Sequence, residues 1–527
     1  MLKVLVMDGV TEEGLTPLRK EKNIEVVIGK PMNEEELVST IGGFDALIVR
    51  SATKVTENVL NAGDRLKIVG RAGVGVDNID IEAATRRGVL VVNAPDGNTI
   101  AATEHAIAMM LALARNIPQA AAKMREGIWD KKSFTGIELR GKVLGIIGLG
   151  RIGMAVAKRA HALEMEVIAY DPYMSPEKAD TLSVELLPLE EIFKRADFIT
   201  IHAPKTKDTL SLINDQAFSL MKDGVRIVNC ARGGVINEAA LYKAMLSGKV
   251  AGAALDVFEV EPATDSPLLK LPNFIATPHL GASTKEAQIN VAIDVSKEIV
   301  DVMNGRLAKN AVNIPSISVQ TLNVIGPFLS LAEKMGGFLA QLLRGRLSKL
   351  EVIYSGEIFS VDVSPITTAV IKGLLDPVLN ESVNYVNAQL LAKNRGLKVL
   401  HSVNGEAMGY ANLITLKVST DLEEKCVAGT LLGKNDAHLV MIDGYRVDTI
   451  PSGHLMYVPH YDKPRIIGPV GVLIGEHDIN IASMQVGRKD RGGTAIMMLS
   501  VDAPVPEETL KAISLIEGVL DVRMVSL

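Results

Sequence analysis
Aromatic side chains are scarce in this 527-residue chain: they make up 4%, and Trp129 is the single tryptophan. With hydrophobic residues at 47%, the cores must be aliphatic, and the composition excludes a disordered or collagen-like protein. Cysteine is nearly absent. Cys230 and Cys426 lie far apart without paired spacing, which argues against a disulfide framework or a zinc cluster and fits a reducing compartment, the cytoplasm. No long basic run interrupts a net charge of −6, so the electrostatic footprint of a nucleic-acid or anionic-membrane binder is missing. Any anion bound here needs local cations. Apolar runs are short as well: Ile107–Ala114 is bracketed by Glu104, His105 and Arg115, well below the roughly 20 residues that span a bilayer. The start, Met1–Asp8, lacks the basic and long apolar regions of a signal peptide and reads as a first β-strand.

The chain is rich instead in punctuated apolar segments. Lys142–Gly153, ending Gly148-Leu149-Gly150-Arg151-Ile152-Gly153, is answered by Val167-Ile168-Ala169-Tyr170-Asp171. This writes a strand, a tight glycine turn, a helix start and an acidic strand end at about the 20-residue distance of a dinucleotide site. Gly148 allows the turn, Gly150 admits a pyrophosphate to the backbone N–H groups, and Gly153 lets helix and strand pack closely. The helix N-terminus adds partial positive charge. Asp171 can accept hydrogen bonds from the ribose hydroxyls of NAD and would repel the additional phosphate of NADP, so NAD is the expected cofactor.

Length calls for three or four domains. Strand candidates Lys3–Met7, Glu25–Ile28, Ala46–Val49, Lys67–Gly70 and Val89–Asn93 alternate with helical patterns and predict one parallel α/β unit. A long apolar helix, Ile100–Arg115, leads into a second set: Val143–Ile147, Val167–Tyr170, Phe198–Ile201, Arg226–Asn229, Ala251–Leu255 and Phe274–Thr277. The helical pattern Thr284–Asn304 is expected to return to the first unit. The predicted division is 1–97 with 284–314 as a substrate-binding domain, 98–283 as a nucleotide-binding domain, 315–452 as an α+β module of unspecified order, and 453–527 as a βαββαβ ferredoxin-like tail. The fold class is therefore α/β: two doubly wound, Rossmann-like parallel sheets followed by two α+β units.

In open parallel sheets, ligands bind beyond the carboxyl ends of the strands. Those positions here are polar: Cys230-Ala231-Arg232-Gly233-Gly234, then Asp256 with Glu259 and Glu261, then Pro278-His279-Leu280-Gly281-Ala282. Oxidising a hydroxyl needs a base, a carboxylate to fix that base's tautomer, and a cation for an anionic substrate; His279, Glu261 and Arg232 can fill these roles. His202 also follows a strand, so position alone does not separate it from His279. His105, inside the apolar helix, reads as a packed histidine.

These motifs, with Ala254-Leu255-Asp256-Val257-Phe258, Glu261-Pro262, Val49–Lys54 and Gly70–Asn78, resemble the D-2-hydroxyacid dehydrogenase family over roughly the first 310 residues, and most closely its phosphoglycerate-oxidising branch. The resemblance implies catalytic roles for Arg232, Glu261 and His279. It implies NAD contacts at Gly148, Gly150, Arg151, Ile152, Gly153, Asp171, Cys230, Ala231, Arg232, Asp256 and the run His279, Leu280, Gly281 and Ala282. Val74 and Ala203 stand where the family often has hydroxylated residues.

Phosphoglycerate carries a phosphate and a carboxylate and so demands extra cations. Arg50 and Lys54, with Ser51 between them, can face the phosphate, and the backbone of Gly73, Val74 and Gly75 can cradle the carboxylate. Trp129 is expected either at a subunit contact, giving a homodimer or homotetramer, or in a core. The tail resembles an ACT domain, which implies L-serine as effector with contacts at His460, Asp462 and Asn480; Arg465 replaces the family's usual glycine there. The residues alone reach hydride transfer, and the resemblance implies NAD-dependent oxidation of 3-phosphoglycerate, the entry to serine synthesis. The rivals are a dehydrogenase of glyoxylate, hydroxypyruvate or lactate, and a non-catalytic nucleotide sensor on the same fold.

Overall fold
A computed structural model describes residues 1–306, 308–315, 319–356, 359, 361–404, 407, 409–433 and 435–527. Five parallel strands, β1 (Leu2–Val6), β2 (Ile24–Ile28), β3 (Ala46–Val49), β4 (Ile68–Arg71) and β5 (Leu90–Asn93), form a sheet in the order β2-β1-β3-β4-β5. Because both faces are covered, the strands are continuous apolar runs rather than alternating ones. One face packs on helices that contribute Leu37, Ile41, Val59, Leu60 and Ala83. Val291, Val295 and Ile299 cover the other. These three belong to the helix Lys285–Met303, capped by Thr284, which returns to the first unit as its sequence pattern predicts.

The second sheet holds β6 (Val143–Ile147), β7 (Glu166–Tyr170), β8 (Glu185–Leu186), β9 (Phe198–Ile201), β10 (Val225–Asn229), β11 (Val250–Leu255) and β12 (Phe274–Ala276) in the order β12-β11-β10-β9-β6-β7-β8. The order reverses between β6 and β9, which is where such sheets open a crevice for ligands. The two-residue β8 was not anticipated. The helix Thr99–Arg115 passes from the first unit onto this sheet, burying Ala106, Met109, Met110 and Leu113 against β6, β10 and β11 residues.

The span 315–452, whose residues 316–318 lie outside the described ones, contains a six-stranded mixed sheet. Its strands are β13 (Leu347–Ser355), β14 (Lys398–Asn404), β15 (Leu413–Thr420), β16 (Glu424–Leu432), β17 (Asp436–Ile442) and β18 (Tyr445–Thr449), ordered β14-β13-β15-β16-β17-β18. Helices Val319–Leu342 and Ser364–Leu375 pack on each other and against it. The tail is the expected βαββαβ unit: β19 (His454–Tyr461), helix Ile467–Gly475, β20 (Ile481–Arg488), β21 (Thr494–Val501), helix Glu507–Ser514 and β22 (Arg523–Ser526). The last strand starts later than the predicted Val519. Val519 makes only a bridge to His460, and the Asp521 carboxylate takes the Val522 N–H at 3.0 Å.

Period-2 alternation decides how these two units join. Met456, Val458, Met497 and Leu499 face the tail's own helices. Leu455, Tyr457, Ile496, Met498 and Val525 join the core of the preceding module. Each such side chain is worth about 1.5–3 kcal/mol of burial, so the two units share one core. No helix among the described residues is long and apolar enough to cross a membrane.

Candidate active site
The turn after β6 has the geometry a dinucleotide requires. Gly148 sits at φ +93°, and a Cβ there would lie 2.8 Å from the His202 carbonyl. At Gly153 a Cβ would fall 2.2 Å from the Gly148 oxygen, whereas the position beside Gly150 is open space. The residues thus fit a pyrophosphate approaching the backbone. Asp171 braces the turn: it accepts the Leu149 N–H at 2.7 Å and the Tyr173 N–H at 2.8 Å. Arg151 begins the following helix and pairs with Asp96 at 2.6 Å, while Ile152 packs half-buried against the sheet.

Between the first and second units lies a cavity of about 690 Å³. The first unit lends it Arg50, Ser51, Arg71 and Gly73, the second Glu261, Thr277, His279 and Ala282. His279 Nδ1 meets Glu261 Oε2 at 2.8 Å, and the other Glu261 oxygen takes the Phe258 N–H at 3.1 Å. The His279 backbone is left-handed, φ +56°, a conformation that costs a non-glycine residue about 1–2 kcal/mol. Asp256 holds that turn. Its carbonyl accepts the His279 N–H at 3.0 Å, and its carboxylate gathers the N–H groups of Leu280 at 2.7 Å and Gly281 at 2.8 Å with the Thr277 hydroxyl at 2.6 Å. Burial would raise the Asp256 pKa; hydrogen bonds from His105, Thr277, Leu280 and Gly281 outweigh it and keep the carboxyl below its usual range.

Asp256, expected at the cofactor, has a fully buried side chain that anchors the histidine turn. Cys230 is half-buried, and desolvation pushes its thiol pKa up, so it stays neutral. Ala231 donates its N–H to Asn229 Oδ1 at 3.0 Å. The structure also separates the two strand-end histidines: His202 bonds to Thr200 Oγ1 at 3.0 Å, and desolvation pulls its pKa down to about 4.

Arg232 reaches from the second unit to the first. Its Nη1 donates to the Ala231 carbonyl at 2.7 Å, and its Nε lies 3.4 Å from Asp77. A Cβ at Gly75 would fall 2.2 Å from the guanidinium, so a side chain there would push Arg232 aside. Gly73, at φ +155°, likewise leaves room for Arg71. Val74 is pinned by Asn93, whose Nδ2 donates to its carbonyl at 2.6 Å. Asp8 fixes the Arg50 loop by accepting the Arg50 N–H at 2.7 Å and the Thr53 hydroxyl at 2.6 Å. Lys54 does not join the cavity lining: it stands exposed near Glu34, whose carboxyl is held low by hydrogen bonds from Thr56 and Asn58 and by the Lys54 charge.

Sequence reasoning missed Arg71. Burial, then the charges of Arg232 and Arg50, lower its pKa to about 10, and its Nε is buried without a hydrogen-bond partner. The signal was available, because Arg71 is the last residue of β4 and stands where the strand-end rule points.

In the tail, His460 is buried, with Nδ1 2.9 Å from the Tyr461 carbonyl and Nε2 unpartnered. Asp462 accepts the Gly492 N–H at 3.1 Å and pairs with Arg488, whereas Asn480 bonds to Asp502 at 3.1 Å. Arg465 occupies left-handed backbone, φ +70°, as the missing glycine would.

Comparison with known proteins agrees with this architecture. The family of the D-isomer specific 2-hydroxyacid dehydrogenase NAD binding domain matches residues 107–281, the D-3-phosphoglycerate dehydrogenase intervening domain matches 324–443, and the ACT domain matches 460–514. D-3-phosphoglycerate dehydrogenase of Archaeoglobus fulgidus is 47% identical, and that of Bacillus subtilis 45%, each over 100% of both chains. Among solved structures, the TT0316 protein of Thermus thermophilus aligns with TM-score 0.55 at 34% identity, covering 59% of this chain and 100% of its own. D-lactate dehydrogenase of Escherichia coli aligns with TM-score 0.54 at 28% identity over the same shares. The chain therefore belongs to the D-3-phosphoglycerate dehydrogenase family.

Proposed function
We propose that the cleft oxidises the 2-hydroxyl of 3-phospho-D-glycerate to the ketone of 3-phosphooxypyruvate with NAD, the entry to L-serine synthesis. The observation that carries the substrate class is the pair Arg50 and Arg71 on the cavity wall, with Arg232 close enough to act on Arg71 and a buried guanidinium nitrogen unpartnered. Three cations so close repel one another, and a substrate bearing both phosphate and carboxylate supplies the missing countercharge through paired hydrogen bonds. Relatives named for this activity match along the whole chain.

Bound NAD supplies the acceptor for the hydride leaving C2. The open space at Gly150 and the adjoining helix N-terminus suit its phosphates, and Asp171 suits its ribose. His279 donates Nδ1–H to Glu261, which leaves Nε2 as the acceptor for the hydroxyl proton. Arg232 grips the carboxylate; Arg50 and Arg71 hold the phosphate. The test is an initial-rate panel of phosphoglycerate against lactate, each with NAD and NADP. Arg71→Leu and Arg50→Ala should each lower kcat/KM for phosphoglycerate at least about tenfold and leave a slow lactate reaction unchanged. Equal losses on both acids would turn the reading toward an unphosphorylated substrate.

The same reading makes the tail a regulatory unit that binds L-serine. The unpartnered Nε2 of His460 beside Asp462 supports it, and rates with and without serine test it. Trp129, 73% exposed beside exposed Ile128 and Met124, supports a subunit contact in a homodimer or homotetramer, which sedimentation of Trp129→Ala tests. The two free thiols fit the cytoplasm.

A further inference from the structure
The helix that carries the chain from the first unit to the second also touches the catalytic turn. His105 lies on the buried face of the helix Thr99–Arg115, with its Nε2 3.1 Å from Thr277 Oγ1 and 3.3 Å from Asp256 Oδ1. Thr277 spends its single hydroxyl proton on Asp256, so its oxygen can only accept from His105. That fixes the proton on Nε2 of His105. The Asp256 side chain in turn has no exposed surface, and among the described residues its carboxylate is met by His105, Thr277, and the N–H groups of Leu280 and Gly281 on the far side of His279.

We propose that His105 is a positioning residue for the oxidation: through Thr277 and Asp256 it holds the left-handed turn that aims His279 into the cleft. The proposal rests on the reading of His279 as the base. A left-handed histidine persists only where its surroundings over-determine it, and a displacement near 1 Å at a reacting group costs about 100-fold in rate. A helix histidine that merely filled space could be replaced by leucine without such a loss. Packing alone also gives no reason for Nε2 to meet two oxygens of one buried cluster.

The experiment uses the full chain and follows NADH formation together with thermal unfolding. His105→Leu should lower kcat about 10–100-fold with little change in either KM, and His105→Gln, which keeps an N–H donor, should recover most of it. Thr277→Val should lower kcat likewise, and the double variant should be no worse than the poorer single, because both break one network. Wild-type kcat in His105→Leu, equal impairment in His105→Gln, or additive losses would overturn the proposal. Should His105→Leu fail to fold, His105→Gln and Thr277→Val decide: near-normal kcat in the first and a large loss in the second support it, and any other pairing overturns it. Failure of the underlying reading looks different, since His279→Asn would then keep turnover whatever His105 does.

Discussion
Of the turns that place a bulky residue in left-handed backbone, those at His279 and Arg465 are held very differently. His279 at φ +56° is braced on every side: a buried carboxylate collects the amides that follow it, Thr277 and His105 complete that carboxylate, and Glu261 fixes the ring. Arg465 at φ +70° lies near the exposed Lys463–Glu517 pair, and among the described residues its side chain makes no hydrogen bond or ion pair. Strain at the first turn is held by a network that, on the proposed reading, aims a base. At the second it stands uncompensated, a local rule broken without a visible return.

The sharpest way to break the comparison is to remove what the first turn aims. His279→Asn should lower kcat by about 100- to 10,000-fold in an NADH assay while the protein still unfolds cooperatively. Loss of the carboxylate partner comes next: Glu261→Gln leaves the turn in place but weakens the tautomer lock, and kcat should fall about 10- to 100-fold at unchanged KM.

Asp256→Asn attacks the bracing itself. The amide presents N–H to groups that are donors, so unfolding should be easier by about 1–3 kcal/mol in denaturant titration. Its pH dependence has a defined sign. The folded pKa of Asp256 lies below the unfolded value of about 3.9, so its contribution is fully present above that pH and is lost as pH falls through the folded value. The wild type should therefore lose stability below about pH 4 more steeply than Asp256→Asn, which carries no proton-linked group at this position. Smallest is the change at the unbraced turn: Arg465→Gly should stabilise the chain by about 0.5–1 kcal/mol, read as a small upward shift of the thermal midpoint. If that substitution destabilises instead, the Arg465 turn has a brace not visible in its contacts.

Much of this was legible in the residues. Strands β1 to β12 follow from apolar runs punctuated by glycine and polar strand ends, and only the two-residue β8 was too short to leave a periodic trace. The glycine turn, the acidic end of β7 and the pairing of Glu261 with His279 were readable because strand-end chemistry is local in sequence. Residues 315–452 were not, since a mixed sheet with a parallel edge strand and a core shared with the tail has no single period. Arg71 was overlooked because one arginine at a strand end carries no mark of burial. That Asp256 also gathers four donors of its own chain could not be read, because a carboxylate facing a ligand and one facing its own chain are spelled alike.

By itself the sequence determined the alternation of strands and helices, the nucleotide turn and the kinds of side chain at the strand ends, because backbone propensity and period-2 or period-3.6 patterning act over a few residues. Tertiary structure alone decided which charges meet: that Arg50, Arg71 and Arg232 converge from two units, that Lys54 stays outside, and that His105 reaches Asp256 across the sheet. Such contacts join residues far apart in the chain, and their energies depend on distance and desolvation, quantities that exist only once the chain has packed.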